Sequence, residues 1–139
     1  VGFWRDSAAL FEHAIKVTDG NYLAYNNLAN AMGQKGDYDA AIKYGLEALR
    51  IRSEYDTAHY NLGMAYYSKG NMDAAIEQWT KALKANLKYK EVNYAIAAAL
   101  LKKGDTAAAK KYLQAELRLD PAHSGAKKLL LQIQTAGQP

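Results

Sequence analysis

The chain repeats itself every 34 residues. The stretch from Asp56 to Tyr89 superposes on the residues before and after it when it is shifted by 34 places in either direction. Coinciding positions carry the same or similar residues: Gly36, Gly70 and Gly104; Ala41, Ala75 and Ala109; Leu28, Leu62 and Ile96; Leu49, Leu83 and Leu117. A repeat of this length is typical of stacked helix-turn-helix units, so we predict an all-α solenoid in which each unit packs on its neighbours.

The turn inside each repeat carries the same two-residue signal. A glycine, suited to the left-handed residue that ends a helix, is followed at once by Asp or Asn, whose side chain can cap the next helix. The three copies are Gly36-Asp37, Gly70-Asn71 and Gly104-Asp105. Because the signal recurs in phase with the repeat, it predicts two antiparallel helices in every full unit.

The repeat frame describes one domain, residues 1–139, with about eight helices. It divides into a half repeat at 1–21, full repeats at 22–55, 56–89 and 90–123, and a capping helix with a tail at 124–139. Leu129, Leu130 and Ile133 of the capping helix can cover the last repeat, as the end of a solenoid requires. The half repeat should expose an apolar patch of Trp4, Leu10 and Phe11, which favours weak self-association.

The composition argues against a catalytic or metal-binding function. The chain has no cysteine, and His13, His59 and His123 form no pair at metal-ligand spacing. His59 falls on a packing face of its helix, where a buried structural role is expected. Nucleophile motifs and phosphate-binding glycine motifs are absent as well. We therefore predict no enzyme activity, no cofactor and no metal. No apolar run approaches the roughly 18 residues of a membrane span, which predicts no membrane insertion.

Charge is distributed unevenly along the chain. Residues 1–83 carry 8 Lys and Arg against 10 Asp and Glu, whereas residues 84–139 carry 10 against 4. The basic C-terminal part can be a solvated face of the terminal helices. It can also be a docking site for an acidic partner or for nucleic acid. We expect the first of these, and no specific binding of DNA or RNA.

The repeat resembles the tetratricopeptide repeat (TPR). The central copy matches the signature of that family best, at Leu62-Gly63, Tyr66, Gly70, Ala75, Trp79 and Ala82. It departs at His59 and Leu87, where the family usually has Trp and Pro, and the first full copy has Gly45 in place of an aromatic residue. We expect Gly45 to admit a bulky neighbour, either Trp79 or a tyrosine. The resemblance covers nearly the whole chain and implies a right-handed superhelix.

In TPR proteins the first helix of each pair lines a concave groove that binds an extended peptide or a partner helix. The groove positions implied here are Asn26, Asn27 and Asn30, then Tyr60, Asn61, Met64 and Tyr67, then Tyr94, Ala98 and Leu101. Tyrosine offers rigid contact area and a hydroxyl, and asparagine can pair with a peptide backbone. The alternative is that Tyr60 and Tyr94 only cover neighbouring repeats.

Two comparisons within the family refine this prediction. TPR adaptors for chaperone C-termini clamp a terminal carboxylate with basic groove residues, and these are missing here, so we reject that role. Asn27 and Asn61 resemble two rungs of the asparagine ladder of O-GlcNAc transferase, which grips peptide backbones. Ala95 takes the place of the third rung.

The opening of the chain carries a second resemblance. Trp4, Asp6, Ser7, Leu10, Phe11, His13, Ala14, Ile15, Val17 and Thr18 look like the start of TPR tails on membrane proteins similar to protein O-mannosyltransferases. That resemblance implies a tail on the non-cytosolic side; otherwise the sequence assigns no compartment. Val1 in place of Met predicts a segment of a longer protein, and the opening lacks the order of a signal peptide.

The function predicted from these residues is a non-catalytic scaffold for protein-protein interaction. Its partner is a protein or peptide of unknown identity. The alternative is a structural spacer or a self-association segment of a larger, membrane-bound, glycosyltransferase-like protein.

Overall fold

The computed structural model describes residues 9–13 and 20–137, and every regular element within them is helical. The helices are α1 (9–13), α2 (Tyr22–Gln34), α3 (Tyr38–Ile51), α4 (Asp56–Ser68), α5 (Met72–Ala85), α6 (Val92–Lys102), α7 (Thr106–Leu119) and α8 (Ser124–Ala136). The all-α prediction with eight helices is confirmed. Most of the predicted half repeat, residues 1–21, lies outside the described residues.

The predicted turn signal is present at every described junction within a helix pair. Gly36, Gly70 and Gly104 adopt φ between 81° and 84°, a region that L side chains rarely occupy. The Asp or Asn that follows each glycine accepts a hydrogen bond from the backbone N–H three residues later, at 3.0 to 3.1 Å. Gly20 and Asn21 form a further copy of the same arrangement ahead of α2.

Helices pack as three pairs: α2 with α3, α4 with α5, and α6 with α7. Leu28, Leu62 and Ile96 are at most 1% exposed and fill the space between layers. Ala41, Ala75 and Ala109, also buried, keep the helices of each pair close together. Substantial contacts among the described helices join successive helices along the chain, with α2 also touching α4.

The second pair closes around one glycine. A Cβ atom on Gly63 of α4 would lie 2.4 Å from the indole Nε1 of Trp79 on α5, closer than packed atoms come. Only a residue without a side chain lets the buried indole lie flat against α4. Trp79 Nε1–H then donates to the Tyr60 carbonyl oxygen at 3.2 Å, so the indole is both packed and hydrogen-bonded.

The first pair has a different glycine arrangement. A Cβ atom on Gly45 of α3 would lie 3.5 Å from Leu62 Cδ1, an ordinary contact. The expectation that Gly45 admits Trp79 or a tyrosine is therefore wrong. Leu62 belongs to the next pair, and its branched side chain extends over the position that Gly45 leaves open.

Charged side chains repeat across successive pairs. Lys69 pairs with Asp39, and Lys103 pairs with Asp73. Both pairs are exposed, so each contributes at most about 1 kcal/mol. Because the two ion pairs join equivalent positions one repeat apart, the second pair packs on the first in the same geometry as the third packs on the second.

The two ends of the described structure differ. In α8, Leu129, Leu130 and Ile133 are half-buried against the last pair, as predicted for a cap. In α1, Leu10 is 65% exposed and Phe11 is half-buried, while Trp4, the third residue of the predicted patch, lies outside the described residues. No helix in the described residues is long and apolar enough to cross a membrane.

Candidate functional site

Two adjoining cavities run along the face formed by α2, α4 and α6. The amide cavity, between α2 and α4, has a volume of about 280 Å³ and is lined by Ala29, Asn30, Gly33, Gln34, Tyr38, Ala41, Tyr60, Asn61, Met64, Ala65 and Ser68. The aromatic cavity, between α4 and α6, also has about 280 Å³ and is lined by Tyr60, Met64, Tyr67, Trp79, Glu91, Tyr94, Ala95 and Ala98. Tyr60 and Met64 line both, so the cavities form one groove.

The amide cavity is organised by a hydrogen bond between pairs. Asn61 Nδ2–H donates to Asn26 Oδ1 at 3.1 Å. Asn26 is only 4% exposed, so it does not reach the groove surface that the sequence analysis assigned to it. It holds the amide of Asn61 instead. Asn30 is exposed on the same helix and lines the cavity directly.

Each tyrosine that lines the aromatic cavity packs against a second ring. Tyr60 stacks on Tyr89 with the ring centroids 5.3 Å apart, and the centroids of the Tyr67 and Trp79 rings are 5.7 Å apart. Tyr94 lies 4.8 Å from the His123 ring. Each of the Tyr60 and Tyr94 rings therefore covers a neighbour with part of its surface and lines the cavity with another part.

Burial and nearby acidic groups raise the pKa values of Tyr60, which lines this cavity, and of Tyr89, which stacks on it. Burial raises the pKa of Tyr60, and Tyr89, Glu91 and Glu116 raise it further. Burial also raises the pKa of Tyr89, and the charge of Asp56 adds to this against a lowering hydrogen bond with Thr57. The Tyr60 hydroxyl therefore stays neutral at physiological pH and lies in a negative field.

Glu91 occupies an unusual position at the start of α6. Its backbone has φ 72°, the one positive value at a non-glycine residue in the described chain. Its N–H donates to Glu116 Oε1 at 3.1 Å, and its own Oε2 lies 3.1 Å from His123 Nε2. Glu116 is fully buried, and its Oε2 has no hydrogen-bond partner among the described residues.

His123 joins this group to the capping helix. Its Nδ1 accepts the backbone N–H of Ala126 at 3.0 Å and so caps α8. Burial alone would lower its pKa, but the hydrogen bond and charge of Glu91, with the charges of Glu116 and Asp120, raise the pKa of His123 overall. This cluster thus connects α6, α7 and α8.

The remaining predicted residues fall outside the two cavities. Asn27 is exposed, so only Asn61 of the proposed asparagine ladder lines a cavity. Leu101 lines a separate cavity of about 420 Å³ between α6 and α8, together with Leu129 and Ile133. Gln34 and Glu91 line the two cavities but were missed, although they lie four residues from Asn30 and three from Tyr94, both of which were predicted.

His59 has the structural role that the sequence predicted. It is 6% exposed, with Nδ1 2.9 Å from Gln78 Oε1 and Nε2 2.8 Å from the Ser53 carbonyl oxygen. Both ring nitrogens are thus engaged. Within residues 9–13 and 20–137, no group of three or more His, Asp or Glu side chains is arranged to hold a metal ion.

Antiparallel helix pairs stacked in one direction, with a groove along the first helix of each pair, define an α-solenoid of the interaction-module class. Two models of the tetratricopeptide repeat family match, one over residues 20–88 and one over residues 60–124. The chain therefore belongs to the tetratricopeptide repeat family. No curated protein matches it, and neither comparison bears on the resemblance of the opening residues to O-mannosyltransferase tails.

Solved structures agree with this fold. The chain is similar to MamA, with a TM-score of 0.91 and 17% identity over 97% of this chain and 79% of that one. It is similar to YrrB, described as a TPR protein with an unusual peptide-binding site, with a TM-score of 0.85 and 25% identity over 94% and 68%. The first TPR of Spaghetti (RPAP3), bound to an HSP90 peptide, gives 0.78 and 23% over 83% and 94%.

Proposed function

We propose that this chain is a protein-interaction module that binds an extended peptide in the groove formed by the amide and aromatic cavities. The observation that carries the proposal is the continuity of the groove, because Tyr60 and Met64 line both cavities. A trough that crosses two helix layers suits a linear segment better than a compact small molecule. The peptide-binding site reported for YrrB, which has the same fold, supports this proposal.

The groove offers recognition chemistry rather than catalysis. Asn30 and Asn61 present amide donors and acceptors to a peptide backbone, and Asn61 is held in place by Asn26. Tyr60 and Met64 supply apolar contact area beside them. The lining side chains include no nucleophile with an adjacent base, so we infer that the module has no catalytic activity of its own.

Self-association is a second candidate, favoured by one observation. Leu10 of α1 is 65% exposed at the end of the stack opposite the capping helix. Sedimentation at high concentration tests this: Leu10→Ser should reduce a weak dimer to monomer. A strict monomer before the change would exclude this role.

The groove assignment is tested by substitution. Peptides selected from a random display library supply the ligand, and fluorescence polarisation measures affinity. Asn61→Ala or Tyr60→Ala should each weaken binding at least tenfold, about 1.4 kcal/mol, with helicity unchanged. Asn61→Ala also leaves the buried Asn26 oxygen without its donor, so the folded fraction is checked by circular dichroism at the assay temperature.

Lys43→Ala is the matched control for these changes. Lys43 is exposed on α3, away from both cavities, and its loss should leave the affinity unchanged. If Lys43→Ala weakens binding and the two groove changes do not, the peptide uses the opposite face and the assignment is wrong.

A further inference from the structure

The aromatic cavity has a composition that selects one kind of side chain. Of the eight residues that line it, Tyr60, Tyr67, Trp79 and Tyr94 present aromatic rings, and Glu91 alone carries a formal charge. Its volume, about 280 Å³, has room for one long side chain of a partner that also lies along the rest of the groove.

The one formal charge among the residues that line the cavity is the carboxylate of Glu91. Beyond burial, which is the main cause, the charges of Glu91 and Glu116 contribute to the raised pKa of Tyr60, so both carboxylates act on the ring that borders the cavity. Glu116 lies beneath this region, fully buried, with one carboxylate oxygen unpartnered among the described residues. A cation that enters the cavity would be attracted by the Glu91 carboxylate, and an anion would be repelled.

The rings of this region already accept a cation. Lys102 Nζ lies 4.5 Å from the centroid of the Tyr67 ring. An ammonium or guanidinium over an aromatic face contributes about 0.5–2 kcal/mol, the larger value where water is excluded. The faces of Tyr60 and Tyr94 that border the cavity provide the same interaction next to the Glu91 carboxylate.

Glu91 is held ready for such a contact. A non-glycine residue at positive φ costs of order 1–3 kcal/mol and persists only where its surroundings fix it. Here the bond from Glu91 N–H to Glu116 and the contact of its Oε2 with His123 supply that constraint. The side chain of Glu91 nevertheless remains 56% exposed, so an incoming group can reach its carboxylate.

We propose that the aromatic cavity binds a lysine or arginine side chain of the peptide partner, with Glu91 as its ionic contact and Tyr60 and Tyr94 as its aromatic walls. This inference rests on the proposed function of the groove. It narrows the partner to an extended segment with a basic residue beside the stretch that contacts Asn61. None of the residues that line this cavity is a lysine or an arginine.

Nuclear magnetic resonance titration of the isotope-labelled chain tests the proposal. The probes are the pentapeptide acetyl-Gly-Gly-Lys-Gly-Gly-amide, its arginine analogue, and matched peptides with norleucine or glutamate at the centre. Norleucine keeps an apolar stem and removes the charge. The lysine and arginine peptides should shift the indole N–H signal of Trp79 and the amide signal of Glu91. Their affinity should be at least fivefold higher than that of the norleucine peptide. The glutamate peptide should not bind.

Two variants identify the ionic contact. Glu91→Gln keeps the side-chain shape and should reduce the affinity for the lysine peptide to that for norleucine. Glu77→Gln removes the same charge from the outer helix α5, where Glu77 pairs with Lys81, and should change nothing. If the norleucine peptide binds as tightly as the lysine peptide, or if Glu91→Gln has no effect, the cationic site is wrong but the groove stands. If no peptide shifts any groove signal, both proposals fail.

Discussion

The first and second helix pairs fill the same space by different means. In the second pair, Gly63 faces Trp79 of its own partner helix, and the indole occupies the volume between α4 and α5. In the first pair the residue one repeat before Trp79 is Gly45, and the volume beside it is filled by Leu62 from the following pair. The second pair thus fills this position from within itself, although its indole also packs on the third pair, whereas the first pair depends on its neighbour for the same position.

This difference bears on how stability is shared along the stack. Repeat proteins are stabilised by the sum of each repeat and the interface between neighbours. Where a side chain of one pair fills the interior of another, part of the stability that a pair would have on its own depends instead on the interface between the pairs. We therefore expect the first pair to lose its order when the second is disrupted, and the second pair to be less sensitive to the first.

The largest expected effect tests the close contact in the second pair. Gly63→Ala places a methyl group within 2.4 Å of the Trp79 indole, which is buried and cannot turn aside. Overpacking of this kind should lower the free energy of unfolding by about 2 kcal/mol, despite the better helix propensity of alanine. Urea denaturation followed by circular dichroism measures it.

Gly33→Ala is the control for that change. The added methyl would lie 3.9 Å from Ala41 Cβ, within ordinary contact, on the corresponding helix of the first pair. It should be neutral or stabilising. Equal effects of the two substitutions would show that the contact between Gly63 and Trp79 is not what requires glycine.

The next effect has the opposite sign. Gly45→Ala meets only Leu62, at 3.5 Å, so the substitution should add helix propensity without a clash. We expect a gain of up to about 1 kcal/mol in the free energy of unfolding, measured in the same way. A loss of stability would mean that Leu62 has no freedom to adjust, and that the first pair is packed as tightly as the second.

The smallest effect extends the comparison to the third pair, whose link to α8 is polar. The carboxylate of Glu91 raises the pKa of His123 against the opposing effect of burial, so the folded chain holds that proton more tightly than the unfolded chain. The stabilisation by this ion pair is fully present below about pH 6.5, the ordinary histidine pKa, where the protonated Nδ1 no longer accepts the N–H of Ala126, and it is lost as the pH rises through the higher folded value.

His123→Asn isolates this contribution, since asparagine can still cap α8 but carries no charge. The stability advantage of the parent chain, less than about 1 kcal/mol because Glu91 is exposed, should shrink as the pH rises from about 5.5, one unit below the ordinary histidine pKa, through the higher folded value. Denaturation across that range measures it. An advantage that grows with pH would instead assign the role of His123 to its neutral ring, which accepts the N–H of Ala126.

Features that recur in every repeat could be predicted from the sequence, whereas features that occur only once could not. The glycine turns, the caps and the buried positions follow from the period, since equivalent residues face equivalent surroundings. The partner of Gly45 could not be read this way, because the space left by a missing side chain can be filled from either adjacent helix. Asn26 was assigned to the groove with its equivalents Tyr60 and Tyr94, but its shorter side chain is buried, where it accepts a hydrogen bond from Asn61. The left-handed Glu91 depends on the buried Glu116, 25 residues away.

The short reach of every substantial contact has a consequence for how the chain is made. Because the described helices pack on their immediate successors and, for α2 with α4 and α6 with α8, on the helix after, a helix pair has most of its partners once the next pair has been synthesised. Contacts between residues near in sequence also form quickly, since little chain must be brought together. On the ribosome, the stack can therefore assemble in order from its first repeat, without waiting for the C-terminal end to emerge.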